Sequence, residues 1–318
     1  PTNRPGEVDL PVPRQPAFGL FNKFIQGHRP KNRDGSHQLF LLADAGMGKT
    51  SLLIMLKLTH LAGLWPPGYH CELLKLNKDT VGQVSSMENK TDTILLLDAL
   101  NEDHLARQRI QERLVELLKV TNEFRRVIIS CRTYFFPGTK MTGNGQVILN
   151  GLTGYNSSAL YISPFDDQQV EELLLKRFAA NSSSYLRFRG FNSGRKKSRA
   201  FQLLDQVPEL RMRPLLLQHI GILLELDHHR DWSTYTVYEA LVYRWLARKL
   251  CALRERYGNT MHLPKCKEMF NSCVRTARWM EEHNKEKIAE EELWGLFSED
   301  ANVSWLERFD QGDCSLLS

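Results

Sequence analysis

The sequence predicts an α/β protein, a parallel sheet with crossover helices followed by a helical region, and three observations carry that reading. Short Leu-, Ile- and Val-rich runs alternate with longer stretches of helical periodicity from Gln38 onward, as expected of strands buried on both faces. The first of these runs leads through a turn of small residues straight into an apolar-periodic helix. After Pro164 strand-like alternation stops and only helical spacing remains.

Taken in order, Pro1 to Pro16 is proline-rich and charged, and residues 1–36 read as a lead-in segment. Strands are predicted at Gln38 to Ala43, Cys71 to Leu76, Thr93 to Leu97, Arg126 to Cys131 and Leu160 to Ser163, which makes 37–165 the sheet domain. Helices are predicted at Asp166 to Phe178, Arg213 to Leu226, Thr234 to Tyr257 and Pro264 to His283, dividing the rest into 166–232 and 233–318. Between the first two helices, Asn181 to Ala200 holds Arg187, Arg189, Arg195, Lys196, Lys197 and Arg199 with no acid. That stretch reads as a solvated surface loop, with a phosphate or nucleic-acid contact as the alternative.

With 42% hydrophobic and 25% charged residues, 20 Gly and 13 Pro in 318 positions, collagen-like and wholly disordered classes are excluded. Forty-two Lys and Arg against 37 Asp and Glu leave +5, which by itself names no partner. No apolar run reaches the roughly 18 to 20 residues that cross a bilayer, so no membrane span is expected. Six cysteines without a C-x-x-C pair suit a reducing, cytoplasmic setting better than a disulfide framework or a zinc site. Lacking an initiator Met and stopping at Ser318 without a tail, the sequence reads as a fragment of a longer chain.

Ala43-Asp44-Ala45-Gly46-Met47-Gly48-Lys49-Thr50-Ser51 departs from G-x-x-x-x-G-K-[ST] only in having Ala43 where the first Gly stands. In such a loop, backbone N–H groups curl around a polyphosphate and the following helix adds its positive end. Ala45, Gly46, Met47, Gly48, Lys49, Thr50 and Ser51 are therefore the candidate nucleotide contacts. Lys49 would meet the β- and γ-phosphates and Thr50 would ligate Mg²⁺. Ala43 would strain the turn only if its position required positive φ.

A second metal ligand is expected at the end of a neighbouring strand, and Thr93-Ile94-Leu95-Leu96-Leu97-Asp98 supplies Asp98. Glu102 is the candidate general base, although Glu102 and Asp103 could equally be first-turn acids that suit a helix dipole. Arg132, ending the fourth strand at the carboxyl edge where ligands of open α/β sheets collect, is placed to sense a γ-phosphate or to pair with a surface acid. Cys131 reads as a buried small hydrophobe. Asn89-Lys90-Thr91-Asp92 spells a guanine-reading tetrapeptide, but it precedes the Asp98 strand instead of following it, so the base is taken to be adenine.

With these elements in order the chain resembles the NACHT group of STAND P-loop ATPases, particularly bacterial members used in antiphage defence. Ala45 to Leu52 looks like the family's A-G-x-G-K-T-[ST]-L, and Leu95 to Glu102 is similar to its metal-binding strand with trailing acids. Ser130-Cys131-Arg132 resembles its sensor 1 segment, Ile162 to Val170 the approach to its first helical domain, Arg213 to Leu217 its proline segment, and Thr236 to Leu241 the helix after that. The likeness spans roughly residues 20 to 260. It implies a helical lid over 166–232, a partial winged-helix region over 233–318, an adenine contact from Pro214, and catalytic roles for Lys49, Glu102 and Arg132. It also implies ATP or ADP with Mg²⁺, self-association on activation, and an unidentified activating ligand, phage-derived being one option. Asn101 departs from the pattern where an acid is usual, which implies slow hydrolysis or hydrolysis left to Glu102.

Two rival readings stand beside it: an AAA+-like ATPase stimulated by nucleic acid through 187–199, and a scaffold whose tightly held nucleotide serves only folding. His228-His229, Cys266 and Cys273 lack complete metal-ligand sets. Trp279, Met280 and Trp294 read as helix packing.

Overall fold

A computed structural model describes residues 14–27, 35–63, 69–136, 140–141, 146–148, 157–180, 190–226, 231–257, 265–285 and 288–297. Seven strands form one sheet: β1 (Gln38–Ala43), β2 (His70–Lys75), β3 (Thr93–Asp98), β4 (Arg126–Arg132), β5 (Lys140–Met141), β6 (Gln146–Ile148) and β7 (Ser157–Tyr161). Their order is β2-β3-β4-β1-β7-β6-β5. The first five in that order are parallel, and β6 and β5 extend the edge antiparallel.

The central strands are buried throughout, and alternation along them divides the core into two layers. Leu39, Leu41, Ile94, Leu96 and Ile128 face one side, where they meet Leu53 and Leu56 of helix α2 (Lys49–Leu61) and Phe21 and Ile25 of helix α1 (Ala17–Gln26). Phe40, Leu42, Leu95, Leu97, Val127 and Ile129 face the other, against Leu114, Leu117 and Leu118. Those leucines lie on α5 (Ile110–Val120), which follows α3 (Thr80–Ser85) and α4 (His104–Gln108). A sheet covered on both faces is what the unbroken apolar runs require.

Helix α1 lies inside the stretch read as a lead-in. Phe21 and Ile25 are each 1% exposed, four residues apart and so on one helical face. The buried Arg126 fastens its end, Nε donating to the Phe24 carbonyl at 2.5 Å and Nη2 to that of Gly27 at 2.8 Å. A guanidinium at a helix C-terminus satisfies carbonyls that lack intrahelical partners and suits the dipole.

After α6 (Asp167–Ala180) come α7 (Gly190–Gln206), α8 (Glu209–Met212), α9 (Pro214–Leu217), α10 (Ile220–Leu226), α11 (Thr234–Tyr257), α12 (Cys266–Glu282) and α13 (Glu290–Phe297). The chain divides into two compact units. One takes the sheet up to Leu173 together with Leu210–Leu217; the other takes Leu174–Glu209 and Gln218 onward. Within the second, Ala200, Leu203 and Leu204 of α7, Ile220, Leu223 and Leu224 of α10, and Val237, Ala240, Leu246 and Leu250 of α11 are buried. Tyr243 stacks on Phe270 of α12 with centroids 4.4 Å apart. Among the described residues no helix is long and apolar enough to cross a membrane.

Several boundaries differ from expectation. The fifth parallel strand starts at Ser157, earlier than Leu160, because Ser158–Tyr161 pair with Leu39–Leu42 of β1 on one side and Ser157 pairs with Val147 of β6 on the other. Arg213 to Leu226 is two helices, interrupted at Gln218 and His219. The basic stretch is helical from Gly190, which corrects the loop reading there; Arg187 and Arg189 lie outside the described residues.

Candidate functional site

The carboxyl edge of the parallel strands gathers the predicted residues. β1 ends at Ala43, the chain turns through 44–48, and α2 starts at Lys49. Gly46 and Gly48 take φ of +78° and +89°, a region that side chains disfavour. Ala43 is not among the positive-φ residues; it completes the strand, so an alanine there strains nothing. A Cβ on Gly48 would meet open space, so its glycine answers to backbone conformation and not to crowding.

Lys49 Nζ donates to the Ala43 carbonyl at 2.6 Å and the Asp44 carbonyl at 2.9 Å. Burial first, and the Arg132 guanidinium second, pull its pKa below the ordinary lysine value. Arg132 ends β4 directly opposite Ala43 and donates to the Tyr134 hydroxyl at 2.9 Å. Two cations thus meet beside the turn, an arrangement whose repulsion a polyanion relieves.

Thr50 Oγ1 donates to Asp98 Oδ2 at 2.7 Å. Ser130 Oγ donates to the other carboxylate oxygen, Oδ1, at 2.5 Å and accepts from the Ala99 N–H at 2.8 Å. Asp98 and Thr50 therefore meet, although not as expected. β4 lies between β1 and β3, so the Asp98 strand is not a neighbour of the turn's own strand. The intervening strand contributes Ser130, a fully buried hydroxyl that the sequence reading named only within the segment resembling sensor 1, with no contact to Asp98 foreseen. Its signal was a hydroxyl inside the otherwise apolar run Val127-Ile128-Ile129-Ser130-Cys131.

Beyond β3 the chain bends sharply, with Ala99 at φ +62° and ψ +52°. Asn101 is buried, and its carbonyl accepts from Arg107 Nε at 2.8 Å. Glu102 is exposed and forms an ion pair with Lys75 at 2.9 Å. Asp103 is fully buried as the N-cap of α4, accepting from the Leu105 N–H at 2.9 Å and from Arg113 Nε at 2.8 Å. Arg113 also donates to the Asn77 carbonyl at 2.7 Å. The two acids after Asn101 thus part company: Asp103 secures the fold, and Glu102 faces outward with a lysine.

Pro214 is the first residue of α9, and the next residue, Leu215, donates its N–H to the Gly46 carbonyl at 3.1 Å. The Cys131 thiol is buried and pushed up to about 12, mainly by that burial, which suits a packing role. Asn89 to Asp92 lies just before β3, at the amino edge of the sheet and opposite the turn. Trp279 stacks on His283 at 4.1 Å, and His228-His229 falls outside the described residues. Among the described residues no three His, Cys, Asp or Glu side chains cluster as a metal site.

A hydroxyl and a carboxylate side by side are hard oxygen donors. They suit Mg²⁺, which keeps several waters and takes few protein ligands, and do not suit a softer metal. The glycine turn at the start of α2 and the two cations fit a polyphosphate. A five-stranded parallel sheet with β4 between the turn's strand and the Asp98 strand, this turn, and following helices together make a P-loop-like fold.

No family model matches the chain, and no curated protein matches it. Among solved structures it is similar to the Aeropyrum pernix Orc1 protein in complex with DNA, at 13% identity and TM-score 0.41, covering 91% of this chain and 81% of that one. It is also similar to the Walker-type ATPase of Pyrococcus abyssi, at 14% and 0.37, covering 84% of each chain. AMPPCP-bound DnaA from Aquifex aeolicus follows at 14% and 0.31, covering 84% and 87%. Likenesses this distant carry no argument about the site, and the DNA and AMPPCP belong to those proteins alone.

Proposed function

We propose that this chain is the nucleotide-binding part of a NACHT-type STAND ATPase, a cytoplasmic switch whose ATP or ADP state controls conformation and self-association, acting in bacterial antiphage immunity. The observation that carries the nucleotide reading is the contact of Thr50 with Asp98 at 2.7 Å beside a glycine turn. Loop residues Ala45 to Ser51 and the Lys49 ammonium would hold the phosphates, Thr50 and Asp98 would hold Mg²⁺, and Arg132 would neutralise the outermost phosphate. Mg²⁺ bound there supplies charge neutralisation at the phosphate oxygens. Pro214 would lie against adenine, the lid would be the helices over 166–232, and the winged-helix region 233–318.

What supports the NACHT assignment is the ordered set of sequence likenesses, together with the seat that the Pro214 segment takes on the turn. The energetic requirement is differential affinity: ATP drives assembly only by binding the assembling conformation more tightly than the resting one. An activating ligand, phage-derived or not, would act on the same equilibrium.

A second reading, a nucleotide-bound scaffold without turnover, is favoured by buried Asn101 and by the Glu102–Lys75 pair. Turnover separates the two. For the switch, sedimentation with ATP and Mg²⁺ shows larger species than with ADP, and Glu102→Gln keeps ATP affinity while turnover falls by about a hundredfold. Equal sedimentation in both nucleotides contradicts the switch, and undiminished turnover in Glu102→Gln removes Glu102 as the base.

A further inference from the structure

Leu215 touches the phosphate turn in two ways. Its N–H donates to the Gly46 carbonyl at 3.1 Å, and its side chain lies over that glycine, where an added Cβ would stand 3.1 Å from Leu215 Cβ. Both residues belong to the sheet unit. Leu215 is 49% exposed, so the side chain leans on the turn without being sunk in a core.

A trans peptide is planar, and its carbonyl and N–H point to opposite sides. Fastening the Gly46 carbonyl to Leu215 therefore turns the Met47 N–H to the other side of the turn, and among the described residues no backbone acceptor takes that N–H. Gly46, at φ +78°, has no Cβ to restrict its rotation, so this peptide needs an outside tie to hold one orientation.

We infer that Leu215 is a positioning residue for the phosphate site. It fixes the 46–47 peptide so that the Met47 N–H is presented to a polyphosphate. The inference rests on the nucleotide reading above and goes beyond it by predicting an effect on phosphate that is independent of the base. The tie also has a place in the chain order: residues 210–217 connect two stretches of the helical unit, so phosphate affinity depends on the segment joining them.

The test uses Mg²⁺-tripolyphosphate, which has no base, beside ATP and ADP, titrated by calorimetry into three proteins. These are the unaltered chain, a backbone ester in which Leu215 is replaced by its α-hydroxy acid, and Leu215→Ala. The ester removes the N–H and keeps the side chain. It should weaken tripolyphosphate, ADP and ATP by the same factor, about fivefold, as expected for one lost hydrogen bond. The melting temperature without ligand should stay within about 2 °C, since a surface hydrogen bond contributes little to global stability. Leu215→Ala should weaken all three about threefold by freeing Gly46, and Leu215→Met should restore them; this pair decides the matter if the ester fails to fold. Unchanged tripolyphosphate affinity in the ester, or a loss confined to ATP and ADP, overturns the role. If the unaltered chain binds neither nucleotide nor tripolyphosphate, the nucleotide reading falls and this inference with it; if it binds and the variants match it, only the inference falls.

Discussion

Lys49 is held where its charge is disfavoured, by burial and then by Arg132. Its folded pKa lies below the unfolded value, so the charged lysine opposes folding at neutral pH. Stability is recovered as pH rises through the folded pKa toward the ordinary lysine value near 10.4. A bound polyphosphate would reverse that balance. Lys49→Met should therefore melt no lower than the parent without nucleotide while losing ATP affinity by about a hundredfold or more. A lower melting temperature with affinity intact would make Lys49 a structural residue. Ser130 is the opposite case, a hydroxyl that satisfies two buried groups at once. Ser130→Ala strands Asp98 Oδ1 and the Ala99 N–H, and the expected loss is about 1–3 kcal/mol in urea unfolding. A change within experimental error would mean the strand carries Asp98 without it. The oxygen types at 50 and 98 were legible one residue at a time, because Lys-Thr after a glycine turn and Asp after four apolar residues each signal alone. Ser130 was not, since a serine gains its role only from which carboxylate lies beside it.

Helix α1 shows how an element escapes a local reading. Six of its ten residues are apolar, but the element is short and follows directly on a proline-rich run, so the stretch reads as a lead-in. Packing of Phe21 and Ile25 on the sheet and the Arg126 tie give it a place in the core. Phe21→Ala should cost about 3–5 kcal/mol, as for other fully buried aromatics; an effect below about 1 kcal/mol in urea unfolding would exclude α1 from the cooperative unit. The break between α9 and α10 was equally hidden. Gln218 and His219 carry no helix-stopping chemistry, whereas Leu215 is drawn onto Gly46 by a hydrogen bond between residues 215 and 46. The strands were found because an apolar run is a local signal. Only pairing with β1 and β6 fixed where the fifth parallel strand begins.

At the scale of the whole chain, ligand binding and folding are linked. ATP with Mg²⁺ at about a hundred times its Kd should stabilise the sheet unit by about 2.7 kcal/mol, seen as a rise in its melting temperature that Lys49→Met abolishes. No rise in the parent at concentrations that saturate calorimetry would mean the nucleotide binds folded and unfolded chains alike. The sequence by itself determined the fold class, the glycine turn and the two candidate magnesium ligands, Thr50 and Asp98, because each is written in contiguous residues whose spacing obeys backbone geometry. Only the tertiary structure decided that β4 separates the Asp98 strand from β1 and so brings Ser130 to Asp98, that Leu215 lies on the glycine turn, and that Glu102 faces Lys75. Those relations join residues dozens of positions apart, and strand order and long-range hydrogen bonds leave no periodic trace in the chain.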